Sequence, residues 1–332
     1  MRHKQNKLKK HRRRYKQNHK KRVTVRSVKK ISGNTIVFTE RLFLERKEEE
    51  IFFILFQAEK INTPTLDFSK VKYIDIGSAI YIKAFVEFLR ENNREPKISC
   101  SPKNQKMRQI LQHLGIFDYQ LKITYNDIRC WAVRKWHKDF KKYPGVNFGK
   151  VLYKEILPEV LKDKIPSTEF SRIASSLSEL LSNCTEHAYT KQDVFTNFYL
   201  IAGEYENDIK KSNTFSFCIL DYGQGFKASL KKNTLFESVI NKFKEDADSN
   251  LLKEAAKGNF NADKAKNSGR GTGLPAVTES VKLIKGSLYL YSDNGSYKVK
   301  KETEEVRDRR YPVRGSIIEV ILPINDEGND DI

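Results

Sequence analysis

Two residues of one predicted helix could bind a metal-nucleotide. Glu179 and Asn183 are four residues apart in a segment whose apolar residues recur at helical spacing. The two side chains are therefore expected one above the other, roughly 120–160° from the centre of the apolar face. An amide oxygen is a hard ligand for Mg²⁺, and a carboxylate beside it can hold a water or accept a proton. Taken alone, the pair fits an ordinary solvated helix face better.

A second group follows an apolar segment, Thr214 to Leu220, that is typical of a buried strand. Asp221 ends this strand, and Gly223 and Gly225 come directly after it. Glycines let a backbone approach a ligand closely, and the carboxylate could accept a hydrogen bond from an exocyclic amine. An ordinary strand-to-loop turn would look the same.

A third group is the run from Ser268 to Leu274, in which glycines alternate with other residues. It precedes a predicted helix from Pro275 to Ile284, and backbone N–H groups at such a helix start can hold phosphate. The pattern is neither a dinucleotide-binding fingerprint nor a P-loop, because the acid and the Gly-Lys-Ser/Thr signature are missing. The candidate ligands here are Gly269, Gly271, Thr272, Gly273 and Leu274.

The elements that would position these groups are a long helix from Pro166 or Ser167 to about Ala188, and strands at 286–292, 297–299 and 315–323. Asp293-Asn294-Gly295 is the predicted turn between two of them. The three groups in this order resemble the GHKL superfamily of gyrase-type and MutL-type ATPases, histidine kinases and anti-sigma-factor kinases. SELLSNCTEHAY resembles its N box, LDYGQGF its first glycine box and SGRGTGL its second. The resemblance covers about residues 165 to 323.

The GHKL resemblance implies an α/β sandwich that binds ATP and Mg²⁺. By position, Asn183 would hold the Mg²⁺ that bridges the phosphates, and Glu179 would be the general base or water-orienting carboxylate. Asp221 would accept from the adenine amino group above a floor shaped by Gly223 and Gly225. The glycines and flanking residues of the second box, Gly269 to Leu274, would wrap the phosphates, and residues 227 to 267 would form a mobile lid.

His187 and Tyr189 make the N box more similar to that of anti-sigma-factor kinases than to that of histidine kinases. No helix pair carrying a phosphoacceptor histidine precedes it, which disfavours a sensor histidine kinase. We expect His187 to be packed or hydrogen-bonded and not to accept phosphate.

Residues 34 to 126 alternate predicted strands and helices, which indicates a sheet covered by helices. Strands are predicted at 35–39 and 97–100, and a strand, a turn and a strand end at 65–76. Helices are predicted at 48–58, 78–89 and 104–114, the last ended by Gly115. The stretch from about 60 to 120 resembles a STAS domain, the anti-sigma-factor-antagonist fold, in the strand ending at Asp75 and the late helix ending in LGIF. Phosphorylated STAS proteins carry serine two positions after that acid, where this chain has Gly77, with Ser78 one further on.

Charge is concentrated at one end of the chain. Residues 1 to 30 hold 15 of the 62 Lys and Arg and no acid, within a formal net charge of +20. Such a segment cannot bury enough apolar surface to fold alone, so a disordered arm that contacts nucleic acid is expected, with a solubilising tail as the alternative. The longest apolar run, Ile51 to Phe56, is too short to cross a bilayer. Four scattered cysteines predict neither disulfides nor a zinc site, and favour the cytoplasm.

The sequence thus predicts an α/β protein in five parts: a basic arm (1–33), a STAS-like domain (34–126), a helical connector (127–162), a GHKL domain (163–323) and an acidic tail (324–332). Trp131 and Trp136 of the connector are expected to pack a domain joint. The expected function is that of an ATP-binding regulator, either a serine/threonine-type kinase or a partner switch with a protein partner at the STAS-like domain. The alternatives are a nucleic-acid-associated ATPase and a nucleotide-binding scaffold; a homodimer stays open, and no membrane contact is expected.

Overall fold

The computed structural model describes residues 31–101, 104–117, 132–139, 148–156, 158, 167–207, 212–231, 236–243, 247–260 and 273–323. These residues form a mixed α/β protein, as the sequence predicts. Residues 1–30 of the predicted basic arm, Trp131, the acidic tail (324–332) and three candidate ligands of the second glycine box, Gly269, Gly271 and Thr272, lie outside the described residues. The predicted arm boundary at residue 33 is wrong, because Ile31–Ser32 already form a strand.

The N-terminal module, residues 31–117, places short strands beside three helices. One sheet has the strand order β1-β2-β4-β6, parallel except between β1 and β2, and β3 and β5 pair separately in parallel. The strands are β1 (Ile31–Ser32), β2 (Thr35–Val37), β3 (Arg41–Leu42), β4 (Thr65–Asp67), β5 (Tyr73–Ile74) and β6 (Lys97–Ser99). The helices are α1 (Leu44–Ala58), α2 (Ile76–Glu91) and α3 (Gln105–His113).

The local signals of this module act as the sequence predicts. Asn104 caps α3 by accepting from the Met107 N–H at 3.1 Å, and Gly115 follows the helix with a φ of 67°. Helix α1 begins at Leu44 and not at Glu48. An additional turn precedes the predicted helix and is joined to it across a kink at Lys47.

The C-terminal module, residues 132–323, is built on an antiparallel sheet with the strand order β10-β11-β9-β8-β7. Its strands are β7 (Ala132–His137), β8 (Asn197–Asn207), β9 (Ser212–Asp221), β10 (Ser287–Lys300) and β11 (Thr303–Pro323). Its helices are α4 (Phe148–Val151), followed by a π-helical turn (Leu152–Ile156), α5 (Ser167–His187), α6 (Gly225–Leu230), α7 (Phe236–Phe243), α8 (Asp248–Ala256) and α9 (Gly273–Leu283).

Both faces of this sheet are buried. Successive residues of β11, Ile317 and Ile318, enter two different apolar clusters, because strand side chains alternate between faces. Helices α5 and α9 share one cluster with the sheet. The other cluster is continuous with the core of the N-terminal module, and α2 packs against β8, β9 and β11. The two modules therefore meet through a shared core.

The connector predicted as helical at 127–162 is helical at 148–156, but the prediction is wrong at 132–137. Residues Ala132–His137 form β7, the edge strand paired with β8. The Trp136 ring centroid lies 5.5 Å from that of Phe148 and 5.7 Å from that of Phe198, so this tryptophan packs as predicted, but inside the C-terminal module and not at a domain joint. The segment thus belongs to the C-terminal module.

The predicted turn at Asp293-Asn294-Gly295 is also wrong. Strand β10 continues through these residues with a bulge, and the hairpin turns at Lys301 and Glu302. Asp293 has a φ of 49°, so the turn-forming sequence supplies a local distortion and no chain reversal.

Helices also occupy most of the described part of the expected lid, residues 227–267. Among them, α8 packs against β10 and buries Leu251 and Leu252. In the described part of the chain, no helix is long and apolar enough to cross a membrane.

Candidate functional site

Helix α5 places Glu179 and Asn183 one turn apart, both partly buried. Its apolar side chains, including Leu177 and Leu181, anchor it in the cluster that it shares with the sheet. The two polar residues therefore lie beside the core edge on a helix whose position is fixed by packing.

Asp221 ends β9 and is only 7 % exposed. Its Oδ1 accepts the Gly223 N–H at 3.0 Å, and it lies opposite Ser316 of β11. Burial raises the pKa of this carboxyl to about 6, and the hydrogen bonds from Gly223 and Ser316 limit the rise. The carboxylate is thus a buried acceptor that is mostly ionised at neutral pH.

The turn after Asp221 is held against the end of α5. A Cβ at Gly223 would lie 2.1 Å from the Ala188 carbonyl oxygen, and the Gln224 N–H donates to the same oxygen at 2.8 Å. Only glycine allows this approach. The Gln224 amide donates to the His187 carbonyl at 2.6 Å.

Tyr189 joins three elements at this turn, a role that sequence reasoning missed. Its buried hydroxyl accepts the Tyr222 N–H at 3.2 Å and donates to the Asn197 carbonyl at the start of β8. In the sequence, Tyr189 was visible only as an aromatic residue in the segment that resembles the N box, and nothing indicated these contacts. It therefore positions Tyr222, the residue after Asp221.

Gly225 was expected to shape the floor of a nucleotide site, but in the structure it makes a different contact. It has a φ of 81°, and a Cβ there would lie 2.7 Å from Asp293 Oδ1. Asp293 Oδ2 accepts the Lys227 N–H at 3.0 Å, and the Ser292 hydroxyl accepts the Phe226 N–H at 2.8 Å. Gly225 therefore allows α6 to begin directly against the bulge of β10.

The described end of the second glycine box, Gly273 and Leu274, begins α9. A Cβ at Gly273 would lie 3.0–3.2 Å from the side-chain carbons of Glu179, so the structure brings these two candidate residues into contact. Leu274 is 7 % exposed and packs in the core with Val277. Its side chain thus stabilises the helix pair α5–α9.

The His187 side chain is not packed, contrary to expectation. It is 60 % exposed, and its Nε2 lies 3.8 Å from Glu186. Only its backbone carbonyl takes part in holding the turn after β9.

The start of α2, where the STAS resemblance places its phosphorylated serine, lies beneath the C-terminal sheet. Asp75 accepts the Ser78 N–H at 2.7 Å and the Leu44 N–H at 2.6 Å, and Ser78 is fully buried. A Cβ at Gly77 would lie 2.9 Å from Glu319 Oε2 of β11. A modifying enzyme could reach Ser78 only after the modules separate.

Two carboxyls face each other at this contact. Burial, and then the charge of Asp75, raises the pKa of Glu319 well above its ordinary value, while burial raises the pKa of Asp75 to about 6. Glu319 therefore holds its proton at neutral pH, and the pair bears a single negative charge.

No model of a known protein family matches the chain, and a search of curated proteins gives no significant match. The described residues contain no group of three or more His, Cys, Asp or Glu placed to hold a metal ion, and the described cysteines Cys100, Cys184 and Cys218 are free.

Proposed function

We propose that this chain is an ATP-binding regulatory protein of the GHKL class, with its nucleotide at the C-terminal module beside α5. The observation that carries the proposal is the buried Asp221 with the tightly packed Gly223 turn after it. A buried carboxylate at a turn without side-chain bulk suits a planar base bearing an amino group.

The remaining candidate side chains, Asn183 and Glu179, fit a magnesium-bound triphosphate. Asn183 offers an amide oxygen from a fixed helix, and one such ligand is enough where phosphates and waters complete the shell of Mg²⁺. Glu179 lies one turn away and touches Gly273, where the second glycine box ends. This contact supports placing the phosphates near Glu179.

Each residue has a separate task under this proposal. Asp221 accepts from the base amino group, Asn183 holds the metal, and Glu179 orients a water or takes a proton from a hydroxyl. ATP, when bound, supplies the transferable γ-phosphoryl group. The resemblance to anti-sigma-factor kinases favours transfer to a serine or threonine of a partner, or a nucleotide-dependent partner switch.

Titration calorimetry with ATP and Mg²⁺ tests the binding step. Asp221→Asn replaces an acceptor by a partly mismatched amide and should cost about 1.5–3 kcal/mol of binding free energy. Asn183→Ala should remove the dependence of affinity on Mg²⁺. The control is Asp139→Asn, which changes a 42 % exposed carboxylate that follows the edge strand β7, two strands away from β9 and Asp221. Unchanged affinity in both site variants would refute the assignment.

The fate of the γ-phosphate separates the remaining alternatives. Label from γ-³²P-ATP that appears on protein supports a kinase, whereas label released as free phosphate supports an ATPase. Binding without either product supports a scaffold or a switch.

A further inference from the structure

A cavity of about 300 Å³ lies where the two modules meet. Helices α1 and α2 form one side of it through Leu55, Phe56 and Phe85. The turn after β9 and residues 312–315 of β11 form the other side. A volume of this size is at the lower end of the range for small-molecule sites.

Five residues with polar side chains line this otherwise apolar space: Glu59, Tyr81, Tyr222, Gln224 and Arg314. The Tyr81 hydroxyl accepts the Arg314 backbone N–H at 3.1 Å, which fixes its position. Burial raises the pKa of Tyr81 to about 12 and that of Tyr222 well above its ordinary value. Both hydroxyls therefore keep their protons and remain able to donate.

The charges at the cavity balance. The Arg314 guanidinium lies 2.7 Å from Glu59 Oε1, and its central carbon is 5.4 Å from the centre of the Tyr222 ring and 4.2 Å from that of Phe88. A ligand that brought a net charge would have to disrupt this pair. An uncharged ligand can instead use the second carboxylate oxygen as an acceptor.

From this lining we propose that the cavity binds a small, uncharged, planar heterocycle about the size of a nucleobase. Its ring would stack among Phe56, Phe85 and Tyr222, where aromatic faces favour flat partners. Its N–H groups would donate to Glu59, and its carbonyl or ring-nitrogen atoms would accept from the tyrosine hydroxyls.

This site is separate from the proposed nucleotide site. Glu179, Asn183 and Asp221 do not line the cavity. The two sites meet at the turn from Tyr222 to Gln224, which lies against α5 at Ala188 and also lines the cavity, and at Gly315, which lines the cavity and packs against the Asp221 carbonyl. The cavity proposal therefore does not depend on ATP binding.

The test is titration of the full chain with guanosine and cytidine, which are neutral and carry both donors and acceptors. Glu59→Gln should weaken nucleoside binding about tenfold, since a charged acceptor becomes a neutral amide. Phe56→Ala, at a partly buried position, should weaken it by a similar factor through lost stacking. The matched control is Glu40→Gln, which removes another exposed ion pair, with Lys72 at 2.9 Å, whose residues do not line the cavity.

Asp221→Asn tells the two sites apart. Nucleoside binding that survives Asp221→Asn and fails in Glu59→Gln and Phe56→Ala supports the cavity, whether or not the chain binds ATP. Binding that fails in Asp221→Asn and survives in the cavity variants places the nucleoside beside α5 and overturns the proposal. No binding by the unmodified chain at about 1 mM nucleoside also overturns it.

Discussion

At the scale of single residues, Asp221 should make nucleotide affinity depend on pH. Its pKa of about 6 means that its carboxyl loses acceptor capacity as the pH falls from 7.5 to 5.5. We expect ATP affinity to decrease several-fold over this range, and the decrease to be smaller in Asp221→Asn, which does not titrate. Calorimetry at several pH values measures both. Parallel pH profiles would assign the titration to the phosphates or to another residue.

Glu179 should act on turnover and not on binding. Glu179→Ala is expected to lower the rate of phosphoryl transfer or hydrolysis by about 10²–10⁴ while ATP affinity stays nearly constant. Glu186→Ala is the control, because Glu186 is an exposed carboxylate on the same helix. A loss of affinity equal to the loss of rate would instead indicate that the contact with Gly273 is structural.

At the scale of elements, the contact between α2 and β11 should weaken as the pH rises. Asp75 and Glu319 both have raised pKa values in the folded protein, so folding retains protons that the unfolded chain releases. Stability from these groups is greatest below about pH 4 and is lost as the pH rises through 6. Glu45 adds to the repulsion, and Lys298 opposes it.

Glu319→Gln replaces the carboxyl that keeps its proton in the folded protein by a neutral amide of similar shape, so nothing at this position has to bind a proton on folding. We expect it to raise the free energy of unfolding at pH 7.5 by about 1–3 kcal/mol and to flatten its pH dependence. Urea unfolding at pH 5, 6 and 7.5 measures this, with the exposed Glu302→Gln as control. If the free energy of unfolding changes equally with pH in the variant and in the unmodified chain, the buried pair does not set the pH dependence.

The sequence predicted those elements whose signals are local. Helix α2 was expected over 78–89 and extends from Ile76 to Glu91, because its apolar face is continuous. Strand β7 was missed because Arg134, Lys135 and His137 give it the composition of a polar connector, and the partner of a side chain such as Lys135, which pairs with Glu87 of α2, is visible only in the structure.

The site was predictable where a residue type was chemically unusual and unpredictable where the tertiary structure assigned its role. Asp221 was recognisable as an acid at a strand end, whereas the two hydrogen bonds of the Tyr189 hydroxyl depend on how β8 packs beside α5. The nearly continuous apolar residues of β9 and β11 indicate a sheet covered on both faces, but no local signal identified α2 as one of the covers. The bulge at Asp293 likewise depends on contact with α6.

At the scale of the whole molecule, the basic arm should act independently of the two modules. If residues 1–30 neutralise about 6–10 phosphates, nucleic-acid affinity should fall roughly 10³–10⁵-fold between 50 and 200 mM salt, with little sequence preference. Removal of residues 1–30 should abolish this binding and leave ATP affinity unchanged. Mobility-shift titrations of both proteins at both salts measure it. Equal retention would exclude the arm as the binding segment.

The shared core also constrains how this chain can evolve. Tyr199 of β8 donates to Glu87 of α2 at 2.6 Å, and Lys135 of β7 lies 2.7 Å from the same carboxylate. A mutation that shortens α2 or alters its packing face therefore disturbs strands that are far away in sequence. A second mutation that restores the packing has to occur in the other module. The two halves should be inherited as a matched pair, and exchanging one of them with a distant relative should produce mismatched hybrids more often than working ones.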